Sequence, residues 1–274
     1  MAYLNPATTP ITIPDVRQRK AEGKKIVMVT CYDAAFAKII DQTPVDIVLV
    51  GDSLGNVMLG YANTIPVTME DMIHHTAAVH RSLHRPLLCA DMPFMSYQVS
   101  KEQALQNAGR LMKDAGAQAV KLEGGREIAA TVRALTEVGI PVMGHLGLMP
   151  QRVHAAGGYK VQGRNPESAK LLLEDAKILV EAGIFALVLE MVPTSVAKQV
   201  TDSISVPTIG IGAGSSCDGQ VLVLQDLLGF DDTFQPRFLK KYANLGSSVR
   251  DAVNTYAQDV REGVFPGKEH GFGD

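Results

Sequence analysis

Short apolar runs that stop abruptly at a polar or glycine tip recur along the chain. Val48-Leu49-Val50 leads into Gly51-Asp52-Ser53-Leu54-Gly55, Leu87-Leu88-Cys89-Ala90 into Asp91, and Ala119-Val120-Lys121-Leu122 into Glu123-Gly124-Gly125. Pro141-Val142-Met143-Gly144 ends at His145 and Ala186-Leu187-Val188-Leu189 at Glu190. Unbroken apolar character marks strands covered on both faces, as in a parallel sheet. Between these runs lie helical spacing and helix punctuation. Asp33 caps a helix carrying Ala35, Phe36, Ile39 and Ile40; Thr68, with Asp71 three residues on, reads as a capping box opening a helix to Leu83; Ser100 caps a helix ending near Ala115, with Gly116 as its stop. Further helices are predicted over 126–138, 166–182, from Pro193 onward and over 238–260.

The strands read as 26–31, 46–51, 87–91, 118–123, 140–145, 185–190, 206–211 and 220–224. Eight strands alternating with helices predict an α/β fold, a single closed (β/α)8 TIM barrel, with an open doubly wound sheet as the alternative. At 274 residues the chain matches one such barrel of ~250 residues, and no linker divides it, so a single domain over 1–274 is expected. Residues 1–11 show no period and read as an irregular arm. Pro14 opens a short helix over 13–21, placed to plug the barrel's lower mouth. The connections 52–67 and 146–165 are long and lack a helical period, which points to functional loops. The second, with Tyr159, Lys160, Gln162 and Arg164, reads as a rim or lid.

Composition narrows the partners. A hydrophobic share of 46% with 20% charged residues is ordinary for a packed core and argues against disorder. A net charge of −3 without a polybasic run points away from nucleic acid and membrane surfaces and towards small molecules. No apolar run approaches the ~18 residues of a membrane span, and no basic-then-apolar leader opens the chain, so a cytoplasmic protein is expected. Cys31, Cys89 and Cys217 are odd in number and lack C-x-x-C spacing, which fits a reducing compartment and small buried residues.

A parallel barrel gathers its strand carboxyl ends on one face, so the polar tips converge there. Asp52, Asp91 and Glu123 would repel one another unless neutralised, and a hard divalent cation such as Mg2+ suits such a set, taking one or two carboxylates directly. Glu123 is then the one expected in a supporting place, and the other reading of each is a helix cap or surface charge. Lys121 lies two residues before Glu123 and points the same way. It can hold a substrate carboxylate, form a Schiff base or pair with one of those carboxylates, and nearby negative charge favours the protonated roles. His145 reads as a donor to substrate or supporting residue, or as a satisfied core histidine. Glu190 ends a wholly apolar strand away from the carboxylate set and is a candidate base. His74 and His75 point ~100° apart on a helix and cannot readily share a metal. Gly210 to Gly214 reads either as a phosphate loop or as close backbone packing.

Together, Thr30-Cys31-Tyr32-Asp33, Val50 to Gly55, Ala90-Asp91-Met92-Pro93-Phe94, Val120 to Gly125, Gly144-His145-Leu146-Gly147-Leu148, Gly157 to Arg164 and Ile209 to Gly214 resemble the ketopantoate hydroxymethyltransferase family over about residues 12 to 270. The resemblance implies a barrel of the phosphoenolpyruvate mutase type. It implies transfer of a hydroxymethyl group from 5,10-methylenetetrahydrofolate to 3-methyl-2-oxobutanoate in pantothenate biosynthesis, through an enolate stabilised by Mg2+. It further implies that Asp52 and Asp91 bind metal with Glu123 assisting, that Ser53 and Lys121 hold the oxoacid beside them, that Glu190 accepts the proton, and that the protein is a homo-oligomer, often a decamer. Met191 follows Glu190 where the family commonly has cysteine, a difference that bears on packing. Two other functions are considered: a Mg2+-dependent 2-oxoacid carbon-carbon lyase of the same superfamily, and a non-catalytic metal-dependent binding barrel, which leaves Glu190 without a task.

Overall fold

The predicted apolar runs become eight parallel strands: β1 (Ile26–Thr30), β2 (Ile47–Val50), β3 (Leu87–Asp91), β4 (Ala119–Glu123), β5 (Val142–Gly147), β6 (Ala186–Glu190), β7 (Thr208–Ile211) and β8 (Gly219–Leu222). They pair in chain order, and β8 returns to β1 from Ile26 opposite Gly219 to Val29 opposite Leu222, so the sheet closes and the open-sheet alternative falls. This is a computed structural model, and it describes residues 9–273. Residues 1–8 of the expected arm lie outside the described residues.

Every second strand residue points inward. Ile26, Met28, Ile47, Leu49, Leu87, Cys89, Ala119, Met143, Ala186, Val188, Ile209 and Val221 fill the barrel as one cluster. Ile11 and Val16 join that cluster from below, so the helix Ile13–Ala21 does plug the lower mouth. Thr12 and Asp15 cap the plug reciprocally, while Arg19 pairs with the buried Asp46 at 2.6 Å and Lys20 with Asp218 at 2.8 Å. The predicted caps form: Phe36 N donates to Asp33 Oδ1 at 2.8 Å, Asp71 N to Thr68 Oγ1 at 3.1 Å, and Gln103 N to Ser100 Oγ at 3.1 Å.

Several boundaries differ for local reasons. β7 starts at Thr208, after Pro207, which has no N–H to give a ladder and only accepts from Leu187 N. Residues 52–67 contain a helical turn, Leu54–Val57, and 146–165 contain a 3-10 turn, Pro150–Arg152, followed by a helical turn, Val153–Ala156. One turn is too short to leave a readable hydrophobic period. The helix expected from residue 238 begins at Leu245 and runs to Glu262, because the chain before it bonds back: Tyr242 N donates to Leu227 O at 2.8 Å and Leu245 N to Leu228 O at 2.9 Å.

The chain forms two compact units, residues 1–223 and residues 224–274, and the barrel is complete within the first. In the second, the helix Leu245–Glu262 buries none of its residues, and Val249, Val253, Tyr256 and Val260 form an exposed apolar stripe. Among the described residues no helix is long and apolar enough to cross a membrane.

Asp46 ties the plug to the sheet, because its Oδ2 also accepts from Val27 N at 2.9 Å. Asp46→Ala is expected to lower the unfolding free energy by about 2 kcal/mol, the cost of losing a part-buried hydrogen bond to Val27 N–H and the ion pair with Arg19. Asp46→Asn, which keeps one acceptor, should lose less. Urea denaturation of the three proteins measures the order.

Candidate active site

The inward period of two that builds the core continues into the polar tips. Cys89 is followed two residues on by Asp91, Ala119 by Lys121 and then Glu123, Met143 by His145, and Val188 by Glu190. Strand register then sets them side by side: Asp91 stands opposite Lys121, Glu123 opposite His145, and Gly147 opposite Glu190. Lys121 Nζ lies 3.0 Å from Asp91 Oδ1 and 3.2 Å from His145 Nδ1. His145 Nδ1 lies 3.5 Å from Glu123 Oε1, and its Nε2 lies 3.3 Å from Glu190 Oε2. Asp52 enters from the turn after β2, where its N–H donates to Asp91 Oδ2 at 3.0 Å. Beside it, Ser53 Oγ is 2.8 Å from Tyr32 OH. Asp52, Asp91, Lys121, Glu123 and His145 are buried, whereas Ser53 and Glu190 are partly open. All seven candidate residues therefore share one mouth.

Crowding sets their ionisation. Burial, then the charges of Asp91 and Glu123, push the Asp52 carboxyl well above its ordinary range. Asp91 is also raised by burial, against the pull of Lys121. Burial opposes charge on Lys121, but Asp91, Glu123 and Asp52 outweigh it and hold the ammonium charged. That charge favours the ion-pairing roles of Lys121 over the free amine a Schiff base would need. Burial and Lys121 push His145 down, yet Glu123 and Glu190 outweigh both and raise it to about 9. Burial pushes Glu123 up, but His145, Lys121 and the Gln151 N–H bring it below its ordinary value.

The donor set fits a hard cation. Glu123 Oε1 is buried without a hydrogen-bond partner, and Asp91 Oδ1 meets Lys121 only as a charge contact out of hydrogen-bond alignment. Among the described residues no three His, Cys, Asp or Glu side chains form a ready-made cage. The oxygens of Asp52, Asp91 and Glu123 are donors of the hard kind that Mg2+ takes, one or two carboxylates at a time with water and substrate oxygens.

Three neighbours escaped the sequence reading. Gln151, in the turn after β5, bonds Asp52 Oδ2 through Nε2 at 2.9 Å, and its backbone N–H bonds Glu123 Oε2 at 3.1 Å. Tyr97 OH accepts from Glu123 N at 3.1 Å, and Tyr32 braces Ser53. The only signal for Gln151 was Pro150 before it, which presets φ for a turn. Glu190 is placed by tight backbone packing: a Cβ on Gly147, at φ +97°, would collide with the Glu190 carbonyl oxygen, which accepts from Leu148 N at 2.8 Å. Met191 adopts φ +49°, a left-handed conformation costing a side chain about 1 kcal/mol. Its N–H donates to Ile211 O and its carbonyl accepts from Gln162 N, each at 2.8 Å, which also pins the 146–165 connection beside Glu190. Gly214 backs onto Thr194, where a Cβ would clash, so packing accounts for this glycine of the Gly210 to Gly214 run. The three cysteines are buried and free, and His75 Nδ1 is engaged by Tyr32 O at 2.7 Å.

Residues 10–268 match the family model of ketopantoate hydroxymethyltransferase. The chain belongs to that family. It is 57% identical over 257 residues to a protein of Thermoanaerobacter sp. (strain X514) named 3-methyl-2-oxobutanoate hydroxymethyltransferase, covering 94% of each chain. It is 55% identical over 262 residues to one of the same name from Syntrophus aciditrophicus (strain SB), covering 96% of each. Among solved structures it resembles a phosphonopyruvate hydrolase in complex with oxalate and Mg++, with a TM-score of 0.61 at 13% identity over 95% of this chain and 93% of that one. It also resembles 2,3-dimethylmalate lyase, a PEP mutase/isocitrate lyase superfamily member, with a TM-score of 0.57 at 14% identity, covering 95% and 91%. At such identity the likeness speaks for the fold, and the barrel is of the type expected.

The raised Asp52 carboxyl yields a pH-dependent test. The folded chain binds this proton at pH values where the unfolded chain has lost it, so stability falls as pH rises from the ordinary 3.8 through the raised value. Asp52→Asn escapes that loss. In EDTA at pH 7.5 the variant should be more stable than the parent by about 1 kcal/mol, with the gap closing towards pH 4, as followed by urea denaturation at both pH values.

Proposed function

We propose that this chain transfers a hydroxymethyl group from 5,10-methylenetetrahydrofolate to 3-methyl-2-oxobutanoate, giving ketopantoate. The observation that carries the reading is a charged lysine among three buried carboxylates with Glu190, a partly open carboxylate, at the same mouth. The relatives at 57% and 55% identity support the choice of substrates. Asp52 and Asp91, with Glu123 beside them, would hold Mg2+, as the metal in the phosphonopyruvate hydrolase complex also suggests. When bound, the ion supplies Lewis-acid stabilisation of negative charge on the keto oxygen.

The chain's own residues do the rest. The Lys121 ammonium attracts the oxoacid carboxylate, and Ser53, braced by Tyr32, offers a hydroxyl to it. Glu190 accepts the C3 proton, with His145 keeping its carboxylate turned into the mouth. C3 then forms a bond to the folate's one-carbon unit, whose bonds to nitrogen break, and water supplies the hydroxyl oxygen, leaving tetrahydrofolate. Burial of the floor excludes water from the carbon that has lost its proton. The protein on this reading works in the cytoplasm, in keeping with three free cysteines, and as a homo-oligomer, because the apolar stripe on the helix Leu245–Glu262 is left uncovered in one chain.

With Mg2+ and no folate, 3-methyl-2-oxobutanoate in D2O should exchange its C3 proton, seen by NMR as collapse of the methyl doublet. Glu190→Gln should slow that exchange by about 10²- to 10⁴-fold, the usual contribution of a positioned base, with much less effect on binding. Exchange at the parent rate would remove Glu190 from this role. Adding tetrahydrofolate and formaldehyde should yield ketopantoate; cleavage of a 2-oxoacid carbon-carbon bond instead would favour the lyase. Light scattering after size exclusion should give a mass several times 29.4 kDa, and a monomer would refute the oligomer.

A further inference from the structure

Gln151 is the one residue whose side chain and backbone reach two of the three buried carboxylates. Its Nε2 donates to Asp52 Oδ2 at 2.9 Å and to Met92 O at 3.0 Å. Its Oε1 accepts from Tyr97 OH at 2.9 Å and from Gln98 Nε2 at 3.2 Å. Its backbone N–H donates to Glu123 Oε2 at 3.1 Å. The amide is saturated, with two acceptors facing its nitrogen and two donors facing its oxygen. Reversing it would set Oε1 against Asp52 Oδ2 and Met92 O, so the neighbours dictate its orientation.

These bonds fall into a pattern across the three carboxylates. One oxygen of each is held by an N–H: Asp52 Oδ2 and Glu123 Oε2 by Gln151, and Asp91 Oδ2 by the Asp52 backbone at 3.0 Å. The remaining oxygens of Asp91 and Glu123 meet side-chain nitrogens instead, Oδ1 facing Lys121 Nζ at 3.0 Å and Oε1 facing His145 Nδ1 at 3.5 Å. A neutral amide suits this task. It restrains carboxylates that repel one another and adds no charge of its own, whereas a lysine or arginine here would cancel the field that attracts a cation.

We infer that Gln151 is a positioning residue, which turns the carboxylate of Asp52 so that its free oxygen is presented to a divalent cation and which ties the connection after β5 to that presentation. The inference rests on the proposed function for the identity of the cation site and goes beyond it in assigning a role to a residue outside the carboxylate set. Its test is divalent-cation binding in the absence of any substrate, read by the electron paramagnetic resonance of free Mn2+ titrated with protein.

Gln151→Met retains length and volume but removes the amide, and is expected to weaken Mn2+ binding about 10- to 100-fold, as loss of an outer hydrogen bond to a ligand typically does. Circular dichroism and thermal unfolding check that the variant is folded. A folded Gln151→Met with parental Mn2+ affinity overturns the inference and leaves the proposed function standing; a parent protein that binds no Mn2+ overturns both. If Gln151→Met does not fold, Tyr97→Phe is read in its place. It removes the hydroxyl that meets Gln151 Oε1 and the Glu123 backbone, and should weaken Mn2+ binding by about 5-fold or more, at least one hydrogen bond's worth; an unchanged affinity overturns the inference.

Discussion

The structure depends on crowding like charges where water scarcely reaches. Asp52, Asp91 and Glu123 are almost completely buried within one barrel mouth, and removing each ion from water costs on the order of several kcal/mol. Neighbouring groups are arranged to meet that cost only in part. Lys121 lies against Asp91, His145 sits between Glu123 and Glu190, and Gln151 bonds Asp52 and Glu123 without changing their charge. The imbalance that remains raises the carboxyls of Asp52 and Asp91, and on the proposed function it is what draws a cation and an oxoacid to this mouth.

A rigid scaffold is needed to hold such an arrangement against its own repulsion. Below the mouth the barrel is packed with alternating apolar side chains, closed beneath by the plug helix, and the polar tips extend the same rows upward. The site is therefore built on strands whose hydrogen bonds fix each side chain relative to its neighbour to within the register of the sheet. Left-handed backbone occurs where Glu190 is set, at Gly147 and Met191, and bonds to adjacent strands hold it there: Leu148 N donates to Glu190 O and Met191 N to Ile211 O.

The two sides of the candidate chemistry also differ in access. The cation-facing floor is closed, while Ser53 and Glu190 are partly open. Tyr159, half exposed in the connection after β5, has its hydroxyl raised by burial and by the charges of Glu190, Asp52 and Glu123, so it lies within electrostatic reach of the same mouth.

How much of this was legible beforehand follows from the range of the interactions. The strands, the caps at Asp33, Thr68 and Ser100, and the convergence of Asp52, Asp91, Lys121, Glu123, His145 and Glu190 rest on a period of two, on residues three apart, and on the rule that parallel strands end on one face. Those are local regularities, and a single chain carries them openly. Gln151 meets Asp52 across 99 residues of sequence, Tyr32 meets Ser53 across 21, and Lys121 takes Asp91 as its ion pair rather than another carboxylate, all through register and loop packing. The single-turn helices after β2 and β5, and the late start of the helix Leu245–Glu262, likewise follow from backbone bonds to other segments. Sequence by itself determined the barrel and which side chains face its mouth, because alternation is written residue by residue; only tertiary structure decided which of them touch, because contact depends on the closure of the whole sheet.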